Sequence, residues 1–103
     1  MSELNVLRIN VEKHLVVEGS LSVDTVARLR EEGIALIDTL QDPVTIDLAG
    51  AEVQGSAVVA LLIAWQRHCV QRQWSLRFIH ASNHLLEIAK ACDVEEILAF
   101  TDV

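Results

Sequence analysis

Tyrosine is absent from this 103-residue chain, and two Phe and two Trp are its only aromatic residues. The core must therefore be aliphatic. Basic residues are scarce too: eight Lys and Arg stand against fifteen Asp and Glu, a net charge of −7. That balance argues against binding nucleic acid, which needs clustered cations, and against a basic helix lying on a membrane. A charged or basic protein partner suits the sign without being demanded by it. Long apolar runs are missing. The longest, Ala57 to Trp65, has nine residues, against the roughly 20 that cross a bilayer, so no direct membrane insertion is expected. The opening Met-Ser-Glu-Leu-Asn lacks the charged-then-apolar pattern of an export signal, and the cytoplasm is the expected compartment. Cys69 and Cys92 form no closely spaced pair and are expected as free, buried thiols. With one proline and 51% hydrophobic residues, the chain can bury a core without staples, and its length sets a single domain over residues 1–103.

Periodicity supplies the element order. Residues 6–11 and 15–18 alternate as two strands joined by a hairpin at Glu12, Lys13 and His14, with Gly19 ending the second. Ser22 is placed to cap a helix over 23–40, with Asp24 in its first turn. Val26, Leu29, Gly33, Leu36, Ile37 and Leu40 form its apolar face. Gly33 weakens this helix by up to about 1 kcal/mol relative to Ala, which points to close packing against a strand. After Asp42 and Pro43, residues 44–48 read as a central strand and 49–55 as a loop. A helix over 56–71 follows, apolar all round in its first half and polar in its second. Trp74, Leu76 and Phe78 alternate in a further strand. Ser82 caps a third helix, and residues 95–100 read as a closing helical turn or two. Strand–helix alternation requires crossovers, so the fold class is α/β: a mixed sheet of about four strands with helices packed on it.

The stretch from Val44 to Trp65 holds the candidate site. A hydroxyl on the loop that opens a buried helix meets free N–H groups and the positive end of the helix dipole, a place to receive phosphate or dock a partner. Ser56 therefore has three readings: N-cap, phosphoacceptor, or hydrogen-bonding anchor of an interface. Glu52 and Gln54 are solvated loop residues or contacts. Asp47 stands at the carboxyl edge of its strand, where it supports the loop by accepting from backbone N–H groups or orients Ser56. Gln54-Gly55-Ser56 lacks the spacing and the cation of a phosphate-binding loop, so nucleotide hydrolysis is not expected. His68 and Cys69 are adjacent, and His84 lies two turns from Cys92. These, with His14, read as surface histidines and core thiols rather than metal ligands, and no cofactor is implied. Trp65 is expected in the core and Trp74 as a lid on it.

Three stretches resemble the STAS domain, the fold of anti-sigma-factor antagonists and of transporter-associated regulatory domains. Val44-Thr-Ile-Asp-Leu-Ala-Gly is similar to that family's strand ending in Asp-Leu-Ser-Gly. Gln54-Gly-Ser-Ala-Val-Val-Ala-Leu-Leu stands where the family has Asp-Ser-Ser-Gly-Leu and an apolar helix. Residues 78–98 resemble its closing strand, helix and final turn. Two departures bear on function: Gly55 replaces the loop Asp, and Ala57 occupies the second hydroxyl position, the usual phosphorylation site in antagonists. A loop with one surviving hydroxyl looks more like the MlaB-type STAS subunits of Mla phospholipid-transport ABC complexes. That resemblance implies a non-enzymatic subunit bound to the complex's cytoplasmic ATPase, peripheral to the inner membrane, in a system maintaining outer-membrane lipid asymmetry. Contact would run through Glu52, Val53, Gln54, Gly55, Ser56, Ala57 and Val58. The alternative is an antagonist switched by phosphorylation of Ser56.

Overall fold

Apolar residues at alternate positions of successive strands set the core. In a computed structural model describing residues 6–101, the order is β1 (Val6–Ile9), β2 (Leu15–Leu21), α1 (Val26–Leu40), β3 (Val44–Val53), α2 (Ala57–Gln71), β4 (Leu76–Ile79), α3 (Asn83–Ala91) and β5 (Phe100–Thr101). The first five residues, on which the export-signal reading rests, lie outside the described residues. The strands lie side by side in chain order; β1 and β2 pair antiparallel, and every later pair is parallel. Leu15 and Val17, Val44, Ile46 and Leu48, and Phe78 meet Leu29 and Ile37 of α1, Leu61, Leu62 and Trp65 of α2, and Leu85 of α3 in one buried cluster. Each such side chain contributes roughly 1.5–3 kcal/mol on burial. The intervening residues, among them Val16, Thr45, Asp47, Arg77 and Ile79, belong to the other face.

Five strands form where about four were expected, because residues 95–100 do not close as a helix. Val94 accepts from Ile97 and Leu98 in a single turn, and the chain then extends. Gln66 of α2 holds it there: its amide donates to the Ile97 carbonyl at 2.7 Å and accepts from Ala99 N–H at 2.9 Å. Gly19 does not end β2 either. At φ 102° it lies next to a register shift between Val16 and Glu18, and pairing with β3 resumes through Leu21. Ser22 does not cap α1. Its N–H bonds to the Thr25 hydroxyl at 3.1 Å, forming a separate turn, and the helix starts at Val26. Ser82 does cap α3, accepting from Leu85 N–H at 3.1 Å.

Gly33 packs against a neighbouring helix rather than a strand. A Cβ built on it would lie 2.4 Å from the ring atoms of Trp65. Trp65 is fully buried, and its indole N–H donates to the Arg30 carbonyl at 3.2 Å, so the ring cannot withdraw. Gly33→Ala should therefore destabilise the protein by about 1–3 kcal/mol despite better helix propensity. Urea unfolding checks this; an unchanged or raised midpoint would show that α1 and α2 part freely.

Candidate functional site

The corner between β3 and α2 is built by strand pairing, not by a loop. Residues 49–53, expected to be irregular, continue β3: Gly50 pairs with Glu18, Glu52 with Ser20 and Val53 with Leu21. Gln54 N–H bonds to the Leu21 carbonyl at 3.0 Å. Gly55 then turns the chain at φ 102°, a conformation L side chains rarely adopt, with open space where a Cβ would stand. That backbone accounts for Gly55 where the family carries Asp. Ser56 follows at the N-cap position of α2.

One residue at this corner carries no signal in the sequence. The Ser20 hydroxyl on β2, 8% exposed, donates to Glu52 Oε1 at 3.2 Å and accepts from Gln54 Nε2 at 3.1 Å. Glu52 and Gln54 are thus exposed at their surfaces but tied back to the neighbouring strand. A serine beside a glycine reads as a turn, and only the resumed β2–β3 register reveals it as a brace. Ser56 is exposed, and its side chain makes no cap hydrogen bond. Among the described residues its hydroxyl has no partner, and no acidic side chain occupies the first turn of α2. Free N–H groups of that turn stand beside it. Ala57 and Val53 are half-buried. Val58, expected as a contact, is fully buried among the core residues and offers a partner no side chain.

From Ser56 an edge runs along α2 through half-buried Ala57, exposed Ala60 and half-buried Ala64, one, four and eight residues on. It borders a groove of about 510 Å³ between α1 and α2, lined there by Val26, Ala27, Ala60 and Ala64, with Arg30 and Arg67 on its walls. Neither arginine has an acidic partner among the described residues, whereas Arg8 and Arg28 pair with Glu18 and Glu32.

Other chemistry-bearing residues serve the fold. His68 is not a surface histidine: 11% exposed, its Nε2–H donates to Asp38 at 2.7 Å while Nδ1 accepts from Arg72 Nη1 at 3.2 Å. Trp74 is half-buried against the His68 and Arg72 side chains. Cys69 is buried, which pushes its thiol up to about 11 and leaves it unreactive at neutral pH; Cys92, expected to be buried, is exposed beyond the end of α3. Among the described residues no three His, Cys, Asp or Glu side chains gather as a metal site.

Asp47 does not touch Ser56. Its Oδ1 accepts from Ala49 N–H at 3.0 Å and from His80 Nδ1 at 2.9 Å, joining β3 to the end of β4. Burial raises its pKa, but the Ala49 and His80 hydrogen bonds and the nearby imidazole charge outweigh that and hold it below 3.8. A carboxylate so depressed contributes stability that is present above its unfolded value and lost as pH falls through its folded one. Asp47→Asn should thus be less stable than the parent at pH 7, with the gap closing as pH drops below 3.8. Urea midpoints across that range test this; a gap independent of pH would assign Asp47 a purely steric role.

A family model described as "Mlab, STAS domain" matches residues 7–99. The chain is 26% identical to a chain of the Acinetobacter MlaFEDB complex in its ATP-bound Vtrans2 conformation, at a TM-score of 0.76, over 93% of this chain and 99% of that one. It shares its fold with the anti-sigma factor antagonist SpoIIAA in its unphosphorylated form (12% identity, TM-score 0.69, 96% and 89% covered). The same holds for a STAS protein from Planctomyces limnophilus (18%, 0.66, 96% and 90%). A search of curated protein sequences found no match. A five-stranded mixed sheet, a hydroxyl at the head of an apolar helix and a family match across nearly the whole chain lead to one assignment: this protein belongs to the MlaB-type STAS domain family.

Proposed function

We propose that this chain is a non-catalytic subunit of an Mla-type phospholipid-transport ABC complex, docking on its cytoplasmic ATPase through the Ser56 corner. The carrying observation is the Ser56 hydroxyl, exposed and unpartnered on a turn that Ser20 braces from behind. A rigid corner loses little conformational entropy on binding. Around it, Ala57 and Val53 supply a half-buried apolar surround, the arrangement in which one desolvated hydrogen bond carries much of an interface. The adjoining groove extends the surface, and Arg30 and Arg67 suit a helix that is apolar along one face and acidic at its edges. Similarity to a chain of an ATP-bound transport complex supports the partner class. No helix among the described residues is long and apolar enough to cross a membrane, so attachment to the inner membrane would come through the complex. Its role in outer-membrane lipid asymmetry would be that of the assembly.

The exposure of Ser56 also favours a second reading, an antagonist switched by phosphorylation at that hydroxyl. Absence of a cap bond leaves the oxygen accessible to a kinase.

Ser56→Arg should lower affinity for the cognate ATPase at least about tenfold, a loss of roughly 1.4 kcal/mol or more. Its urea midpoint should stay at the parental value, because the native side chain bonds to nothing within the chain. Undiminished co-purification with the ATPase would remove Ser56 from the interface. Incubation with a cognate anti-sigma kinase and ATP separates the readings by intact mass: a phosphate gained by the parent and not by Ser56→Ala would favour the antagonist.

A further inference from the structure

Among the described residues five cations make no ion pair: Arg30 and Arg67 in the α1–α2 groove, Lys90 near the end of α3, and Lys13 and Arg77, which come together at the end of the sheet where β3 and β4 begin. They line a pocket of about 390 Å³ together with His14 and Thr45; Leu40 and Pro43 form its apolar wall. Among the described residues neither Lys13 nor Arg77 makes an ion pair.

Both cations are positioned by groups behind them. Arg77 Nε donates to the Thr45 hydroxyl at 3.1 Å, and Thr45 is 7% exposed, so the guanidinium is oriented with its two Nη groups uncommitted. Lys13 sits in the left-handed region at φ 66°, in a β1–β2 turn that Asn10 organises. The Asn10 side-chain oxygen accepts from Glu12 and His14 N–H, each at 3.0 Å, and its carbonyl accepts from Lys13 N–H at 3.0 Å. Glu12 is the one acid in the lining. It is 70% exposed and lies 4.0 Å from His14 Nδ1, so it faces the imidazole and leaves Lys13 and Arg77 unmatched.

We propose that this pocket binds a phosphate group, with Arg77 presenting its planar fork and Lys13 a point charge. The group comes from a phospholipid head group at a membrane surface or from free phosphate; both present the same oxygens. The site lies at the other end of the strands from Ser56 and does not depend on the ATPase reading.

The test is a titration of the full chain with inorganic phosphate at fixed ionic strength, followed by amide resonances. Flotation runs in parallel on phosphatidylcholine vesicles and on an equal mixture of phosphatidylglycerol and phosphatidylcholine. Saturable shifts at Lys13, His14 and Arg77 are expected, with affinity falling about tenfold in Arg77→Gln and, independently, in Lys13→Gln. Flotation on the mixed vesicles alone, lost in both variants, identifies a lipid head group; shifts without flotation identify free phosphate. No saturable shift together with no variant-sensitive flotation, or equal binding by parent and both variants, overturns the proposal. None of these readings involves the ATPase, so failure here is distinct from failure of the docking corner.

Discussion

Pairing of β2 with β3 resumes after a bulge and runs on to Leu21 and Val53, and the presentation of Ser56 depends on that continuation. A ladder ending at Glu18 would leave Ala51, Glu52 and Val53 without backbone partners and Ser56 on a slack loop. As built, the last bond, Gln54 N–H to the Leu21 carbonyl, lies two residues before Ser56. Ser20 adds side-chain bonds to the same junction. On the far side, α2 is fixed by its buried face, with Trp65 against Gly33 and Gln66 bonded to the β5 approach. The corner is held from both sides, and a small polar group is what it exposes.

Several side chains that could carry chemistry are committed within the fold. Asp47 and His80 are spent on joining the middle of β3 to the end of β4, and Asp38, His68 and Arg72 on joining the ends of α1 and α2. Cys69 is buried, with its thiol pushed far from reactivity. Among the described residues an unpartnered hydroxyl stands at the start of α2, and Arg30 with Arg67 and Lys13 with Arg77 line two separate concave surfaces. The Ser56 corner and the Lys13–Arg77 pocket stand at opposite ends of the strands.

Much of this was legible in the residues. Alternation at Val44, Ile46 and Leu48, and the apolar run of α2, mark the central strand and the buried helix directly, since burial imposes those periods. The motifs around them carry the family. What escaped was decided by partners distant in sequence. Gly19 reads as a breaker but pairs with Ala51 just after a bulge, and Gly50 to Val53 has weak strand propensity yet pairs because β2 lies alongside. The extension of residues 99–101 depends on the Gln66 side chain more than thirty positions away. Val58 was misjudged because a helix that is apolar all round conceals which side faces the sheet; Ser20 escaped because its two partners lie on another strand.

The central claim is that the Ser56 corner is a docking surface. Hydrogen–deuterium exchange of the chain with and without its cognate ATPase tests it most directly. The account predicts slowed exchange over residues 54–60, where uncommitted N–H groups of α2 meet the partner, and unchanged exchange in the turn around Lys13. Protection confined to the outer face of the sheet, or none at the head of α2 in a complex shown to be intact, would contradict it.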